Sequence, residues 1–248
     1  MKSFGITDKG KVRKDNQDSF IIEKCEAKDC FIVALCDGMG GAKAGGLASR
    51  LSNKAFVDYI FLKLSSRTSK EPNYQDILQN ACAEANGVAY EYSQFSEEFA
   101  GMGTTIVGGV VRSNGSAHII NVGDSRAYHI SRRGGSIRQI TRDHSLVEEL
   151  LEAGAITKEQ ARRHPQRNVI TRALGSEPKV EPDYFQLNLA AGELLLLCSD
   201  GLSNILSDGD ILEYAMEYPE PEHLCRVLMD ETLKRGARDN VTVLAVSR

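Results

Sequence analysis

Two stretches of this chain repeat one arrangement. In 'FIVALCDGMGG' an uncharged run ends in Asp37 and Gly38, and in 'LLLLCSDGLS' a second apolar run ends in Asp200 and Gly201. Three further aspartates stand where an apolar run starts or stops: Asp18 in 'NQDSFII', Asp124 in 'IINVGDSRAY' and Asp239 in 'GARDNVTVLAV'. Taken singly, each reads as a strand-end turn, because Asp bonds its own backbone and glycine tolerates positive φ. Their joint recurrence points to chemistry. If the strand ends converge, five carboxylates in one cleft repel one another and some pKa values rise sharply. A divalent cation holds such a cluster ionised, and an all-oxygen donor set favours Mg²⁺, Mn²⁺ or Ca²⁺ over zinc. Gly38, lacking a side chain, leaves its carbonyl free to approach the ion.

These residues must be carried by short strands. 'SFGIT', 'SFIIEKC', 'FIVALC', 'TTIVGGVVRS', 'SAHIINVGD', 'SRAYHIS', 'SIRQIT', 'YFQLNLA', 'ELLLLCSD' and 'NVTVLAVS' are apolar or alternating runs bounded by turn residues. Helical periodicity separates them at 'GGLASRLSNKAFVDYIFLKL', with a core face through Leu47, Leu51, Ala55, Tyr59 and Leu62, and at 'NYQDILQNACAEANGVAYEYSQF'. 'DILEYAMEY' and 'PEHLCRVLMDETLKRG' add two more helices near the end. Antiparallel runs with helices inserted in pairs predict an α+β fold, helices covering a sheet or sandwich. The glycine loop 'GMGGAKAGG' fits neither the dinucleotide fingerprint nor the phosphate-loop pattern, so a nucleotide cradle is not expected.

Composition narrows the class. The 248 residues are 42% hydrophobic and 26% charged, enough for a globular core, and no composition break or repeat divides them, so one domain is expected over 1–248. The net charge of −4 disfavours general nucleic-acid binding, which needs a cationic face. The start, 'MKSFGITDKGKVRKDNQD', has no apolar signal core, and no uncharged run approaches the ~20 residues of a membrane helix. No C-x-x-C occurs among the six cysteines, and the histidines lack zinc-protease spacing. Cys25 and Cys30 can meet across a short hairpin; reduced thiols and a cytoplasmic location are the expectation.

In order along the chain, 'TDKGKVRKDNQD', 'LCDGMGG', 'GMGTT', 'NVGDSRAY', 'TRDHSLVEELLEAGAIT', 'HPQRNVITRALG', 'CSDGLSNIL' and 'RDNVTVLAV' resemble the metal-dependent (PPM, type 2C) protein serine/threonine phosphatases. The compact bacterial members are the nearest in pattern, and the resemblance runs from Asp8 to Val246. It implies a β-sandwich of two antiparallel sheets flanked by helices on both faces, and hydrolysis of phosphoserine and phosphothreonine at a Mn²⁺ or Mg²⁺ pair. By the same resemblance Asp37 would bridge both ions, with Asp200 and Asp239 on one and the Gly38 carbonyl on the other. Asp18 would hold a water of the pair, and Asp124 would serve a weaker third site. Arg13, in itself an exposed basic loop residue, would grip the substrate phosphate. The stretch from about 144 to 173 would form a flap beside the site. A monomer acting on phosphorylated proteins, opposite a Ser/Thr kinase and its targets, is the implied setting.

The chain departs from that pattern in the glycine loop. Met39 and Ala42 stand where many relatives carry His, and Gly46 where Glu is common. The donor of a proton to the leaving alkoxide is then unassigned, with His144 and His164 of the flap as the nearest candidates. Two other readings compete: a catalytically silent phosphoprotein-binding module, and a Ca²⁺-dependent binding domain. Retention of all five aspartates and Arg13 opposes the first. Arg13 and the flap motif oppose the second.

Overall fold

The computed structural model describes residues 1–41, 44–66, 71–95 and 97–248. The chain opens with strands β1 (Lys2–Asp8), β2 (Asp18–Cys25) and β3 (Cys30–Met39), then helices α1 (Ala44–Ser65) and α2 (Tyr74–Phe95). Strands β4 (Gly103–Thr104), β5 (Ile106–Arg112), β6 (Ser116–Val122), β7 (Arg126–Ser131) and β8 (Ser136–Gln139) follow. Two short helices, α3 (Leu146–Glu152) and α4 (Lys158–Arg163), lead to β9 (Asp183–Asn188) and β10 (Leu194–Cys198). The chain continues through α5 (Asp200–Ser203), α6 (Asp208–Glu217), α7 (Pro221–Lys234) and β11 (Val241–Ser247).

The strands form two antiparallel sheets. One runs β1-β11-β10-β7-β8; the other runs β2-β3-β5-β6-β9, with β4 paired to β3. Each inner strand is buried on both faces, which explains its unbroken apolar run. From β3, Val33 and Leu35 point between the sheets while Ile32, Ala34 and Cys36 point to the helices. In β10, Leu195 and Leu197 face the interior, and Leu194, Leu196 and Cys198 the outer layer. Helices α1 and α2 cover the six-stranded sheet, α6 and α7 the other. The α+β sandwich with helices on both faces is therefore as the sequence implies. None of the helices is long and apolar enough to cross a membrane, among the described residues.

The core face of α1 differs from the one expected. Leu47, Leu51, Ala55 and Tyr59 lie at its half-buried edge and Leu62 is 71% exposed; the buried face instead includes Ala48, Ser52, Phe56, Ile60 and Leu64. Small and polar side chains let the helix approach its neighbours closely. Ser52 Oγ donates to the Ala85 carbonyl of α2, and Asn53 Nδ2 to Ser19 Oγ of β2. Cys25 and Cys30 do stand directly opposite each other in the β2–β3 ladder, and all six cysteines are free.

The revised face is testable. Phe56→Ala should lower unfolding free energy by about 3–5 kcal/mol, whereas Leu62→Ala should stay within about 0.5 kcal/mol. Equal denaturant midpoints for the two variants would restore the Leu62 face.

Candidate active site

Antiparallel pairing brings five strand ends to one end of the sandwich. Asp18 opens β2 directly opposite Asp37 near the end of β3. Asp124 lies in the turn from β6 to β7, Asp200 follows β10, and Asp239 precedes β11. A cleft of about 510 Å³ opens there, lined by Arg13, Asp37, Gly38, Asp124, Asp200 and Asp239 among others. Of the five aspartates, Gly38 and Arg13, all line this cleft except Asp18, which lies beneath it, 6% exposed.

Asp18 fastens the two sheets together. Its Oδ2 accepts from Ser199 Oγ at 2.8 Å and Thr242 Oγ1 at 2.6 Å, both in the opposite sheet's segments. Asp37 is held differently. Its amide donates to Thr105 Oγ1 at 3.0 Å, and Thr105 Oγ1 contacts Ser125 Oγ at 2.7 Å, tying β3 to the Asp124 turn. Asn240 anchors the loop bearing Arg13: its Oδ1 accepts from the Gln17 amide, and its Nδ2 donates to the carbonyls of Lys9 and Asp15. Thr105, Ser199, Asn240 and Thr242 were not nominated from the sequence. The only signal for them was their place inside the motifs 'GMGTT', 'CSDG' and 'RDNVTV'.

The electrostatics follow from burial and crowding. Burial, followed by the charges of Asp18, Asp200, Asp124 and Asp239, pushes Asp37 well above the usual carboxylate range. Burial lifts Asp124 to about 8, with Asp200 adding to the effect. Asp200 rises to about 6, through burial and then Asp239. Asp18 also reaches about 6 through burial, although the Thr242 and Ser199 hydroxyls oppose the rise. Among the described residues, Oδ1 of Asp18 and Oδ1 of Asp200 are buried without a hydrogen-bond partner; the Asp37 carboxyl can donate to them only while protonated. Such orphaned acceptors, all oxygen, suit a hard divalent cation. The arrangement is not a closed cage: among the described residues no three His, Cys, Asp or Glu side chains gather tightly enough to hold an ion unaided. Asp239 is turned to Arg13, whose Nη2 lies 2.7 Å from its Oδ2, and Asp18 is turned to its two hydroxyls.

The two Asp-Gly pairs are not turns of positive φ. A Cβ on Gly38 would lie 2.1 Å from the Gly45 carbonyl oxygen of α1, and one on Gly201 would lie 1.9 Å from that of Asn240. Gly38 is thus also required by the packing of β3 on α1, a demand the strand sequence does not announce. Gly201 lets α5 press against the start of β11, bringing Asp200 and Asp239 to one wall.

The protein phosphatase 2C family model matches residues 10–235. Over 243 residues the chain is 37% identical to the serine/threonine phosphatase stp of Listeria monocytogenes, covering 98% of this chain and 94% of that one. The chain belongs to the protein phosphatase 2C family. Its activity class, dephosphorylation of protein serine and threonine residues, goes with that membership. The crystal structure of Stp1 from Staphylococcus aureus superposes with a TM-score of 0.88 at 36% identity, covering 99% of this chain and 94% of that chain. The catalytic domain of PstP in complex with two manganese ions gives a TM-score of 0.83 at 31% identity, covering 99% and 97%.

In this phosphatase neither flap histidine is placed to donate a proton in the cleft. His144 does not line the cleft. It is 5% exposed, its Nδ1 accepts from the Gly123 amide at 3.1 Å, and its Nε2 lies 3.3 Å from Asp183 Oδ2. Accepting at Nδ1 places the proton on Nε2, directed at Asp183 and away from substrate. Burial lowers the pKa of His144 further, keeping it neutral. Its backbone amide also donates to the Gly123 carbonyl at 2.9 Å, so His144 positions the turn carrying Asp124. His164 is also absent from the cleft lining; its Nδ1 accepts from the Gln166 amide. Met39 presents a thioether at the cleft wall, and Ala42 lies outside the described residues. Gly46 faces Arg50, whose Nη1 would lie 3.2 Å from an added Cβ.

Two measurements follow. His144→Ala should slow phosphoserine-peptide and p-nitrophenyl phosphate turnover by the same factor, because it removes support for Asp124 and no acid; a selective loss on the peptide would return it to the role of acid. Stability should also report the raised carboxyls. They hold protons in the fold where unfolded aspartates have lost them, so stability falls as pH rises from the ordinary aspartate value to about 8. Protein stripped of divalent ions should therefore melt higher at about pH 7 than at about pH 8.5, with a smaller difference in Asp124→Asn. The opposite slope would mean these carboxyls are ionised in the fold.

Proposed function

We propose that the cleft holds two divalent ions, Mn²⁺ or Mg²⁺, with Asp37 shared between them, Asp200 and Asp239 on one, and the Gly38 carbonyl on the other. Asp124 serves a third, weaker site. The observation that carries this reading is Asp37 itself, raised by burial and by four neighbouring aspartates beside two acceptors that lack donors. When bound, the ions supply charge that acidifies water and stabilises in-line displacement at phosphorus.

The chain's own groups then have separable tasks. Arg13, half-exposed at the cleft mouth, binds the phosphate oxygens through its planar fork, and exchanges its contact with Asp239 to do so. Asp18 fixes the spacing of the two sheets and aims its free Oδ1 toward the cleft floor, where it can hold a water in place. Residues 144–173 act as a flap within one domain spanning 1–248: Asn168 and Ile170 reach the cleft wall, and Thr171 is held by the His144 carbonyl at 2.8 Å. Since neither His144 nor His164 lines the cleft, the proton for the departing serine oxygen comes from water.

The substrates are phosphoproteins, supplied by a Ser/Thr kinase that phosphorylates the same targets. A cytoplasmic monomer fits the free cysteines, which a reducing compartment preserves. Asp37→Ala should reduce chelator-sensitive hydrolysis of a phosphoserine peptide more than about 100-fold, exceeding the effect typical of a residue that merely orients a ligand. Arg13→Ala should keep Mn²⁺ affinity and lose about 10–100-fold in kcat/KM, mostly through KM. Full Mn²⁺-stimulated turnover in Asp37→Ala rejects the metal assignment, and an unchanged kcat/KM in Arg13→Ala rejects the phosphate grip.

A further inference from the structure

The opposite end of the six-stranded sheet carries a second polar pocket that the phosphatase reaction does not use. It lies where β5 ends at Arg112 and β6 begins at Ser116, whereas Asp124 follows the far end of β6. The N-terminus of α2 forms one wall of this open pocket of about 410 Å³. Arg112 sits over the Tyr74 ring at 5.5 Å, and Tyr74 stacks on His118 with ring centroids 4.4 Å apart. His118 Nδ1 is in turn 2.7 Å from the Tyr184 hydroxyl. These contacts fix a guanidinium and three rings on one wall system.

Three groups here are unmatched among the described residues, and each can donate a hydrogen bond. Tyr74 is 5% exposed, and its hydroxyl has no partner among the described residues. Arg112 Nε and Ser116 Oγ are likewise buried without a partner. The first turn of α2, a helix of 22 residues, adds the positive end of its dipole, although Asn73 already takes the Asp76 and Ile77 amides there. Donors in this number, with a cation, call for an oxyanion. The pocket's single acidic residue already supplies one: Glu71 Oε1 lies 2.6 Å from Arg112 Nη1. The Glu71 side chain is 66% exposed, and an ion pair that open to water contributes little, so a better acceptor can displace it.

We propose that this pocket binds a small anion through a carboxylate or phosphate group, with Arg112 as its charged partner and Glu71 as an internal stand-in that the anion displaces. The test is a heteronuclear NMR titration of the full chain with inorganic phosphate and, separately, succinate. Saturable shifts are expected at the amides of Arg112, Ser116 and His118, a set distinct from the amides around Asp37 and Asp124 where phosphate also binds as product. Arg112→Gln should weaken binding at these signals by about tenfold or more, the scale of one charged hydrogen bond. Glu71→Gln, at an exposed position that leaves folding intact, should tighten it by removing the competitor. The anion that binds more tightly identifies the headgroup as phosphate or carboxylate. No saturable shift with either anion, binding indifferent to Arg112→Gln, or unchanged affinity in Glu71→Gln would each overturn the site.

Discussion

Five carboxylates crowded at one end of a sandwich repel one another, and the rest of the molecule is organised to withstand that repulsion. Asp37, Asp124, Asp200 and Asp239 sit at the ends of largely buried strands, and Asp18 at the start of the edge strand β2, so the core beside them opposes separation of the strand ends. The two sheets are also joined across the cleft floor, where Ser199 and Thr242 of one donate to Asp18 of the other. Charge that is not cancelled by a cation is met by protons: burial raises Asp18 and Asp200 to about 6 and Asp124 to about 8. Proton and metal ion are therefore competing answers to one electrostatic problem.

Backbone contact is the second constraint. Aspartates gathered in one cleft require their carrier segments to touch, and touching segments leave no room for a Cβ. Gly38 against Gly45 and Gly201 against Asn240 are those contacts. Polar support follows the same logic at longer range, with Thr105 linking Asp37 to the Asp124 turn and His144 bracketing Gly123. Histidine in this position is a structural acceptor because the Gly123 amide and Asp183 occupy its two nitrogens.

Much of this could be read in the residues alone, and the failures are instructive. Strands such as 'ELLLLCSD' and 'NVTVLAVS' announce themselves because burial on both faces leaves no polar alternation to confuse them. The aspartates were visible as interruptions of those runs. The buried face of α1 was not, since its Ser49, Ser52 and Asn53 carry no hydrophobic signal and their burial depends on partners such as Ser19 and Ala85. The packing demand on Gly38 was illegible for a related reason: its crowding neighbour belongs to a helix whose placement the strand sequence does not contain. Ser199, Thr242 and Asn240 escaped notice because a hydroxyl or amide acquires a task only from what lies opposite it.

The position of Asn240 has a consequence for how the molecule is made. Its side chain holds the carbonyls of Lys9 and Asp15 and the amide of Gln17, and β1 pairs only with β11. The loop that carries Arg13 is thus made more than two hundred residues before the side chain that anchors it. Until β11 is made, β1 lacks the strand it pairs with and the cleft lacks Asp239. Closure of the cleft therefore waits for β11, however early the Arg13 loop is made.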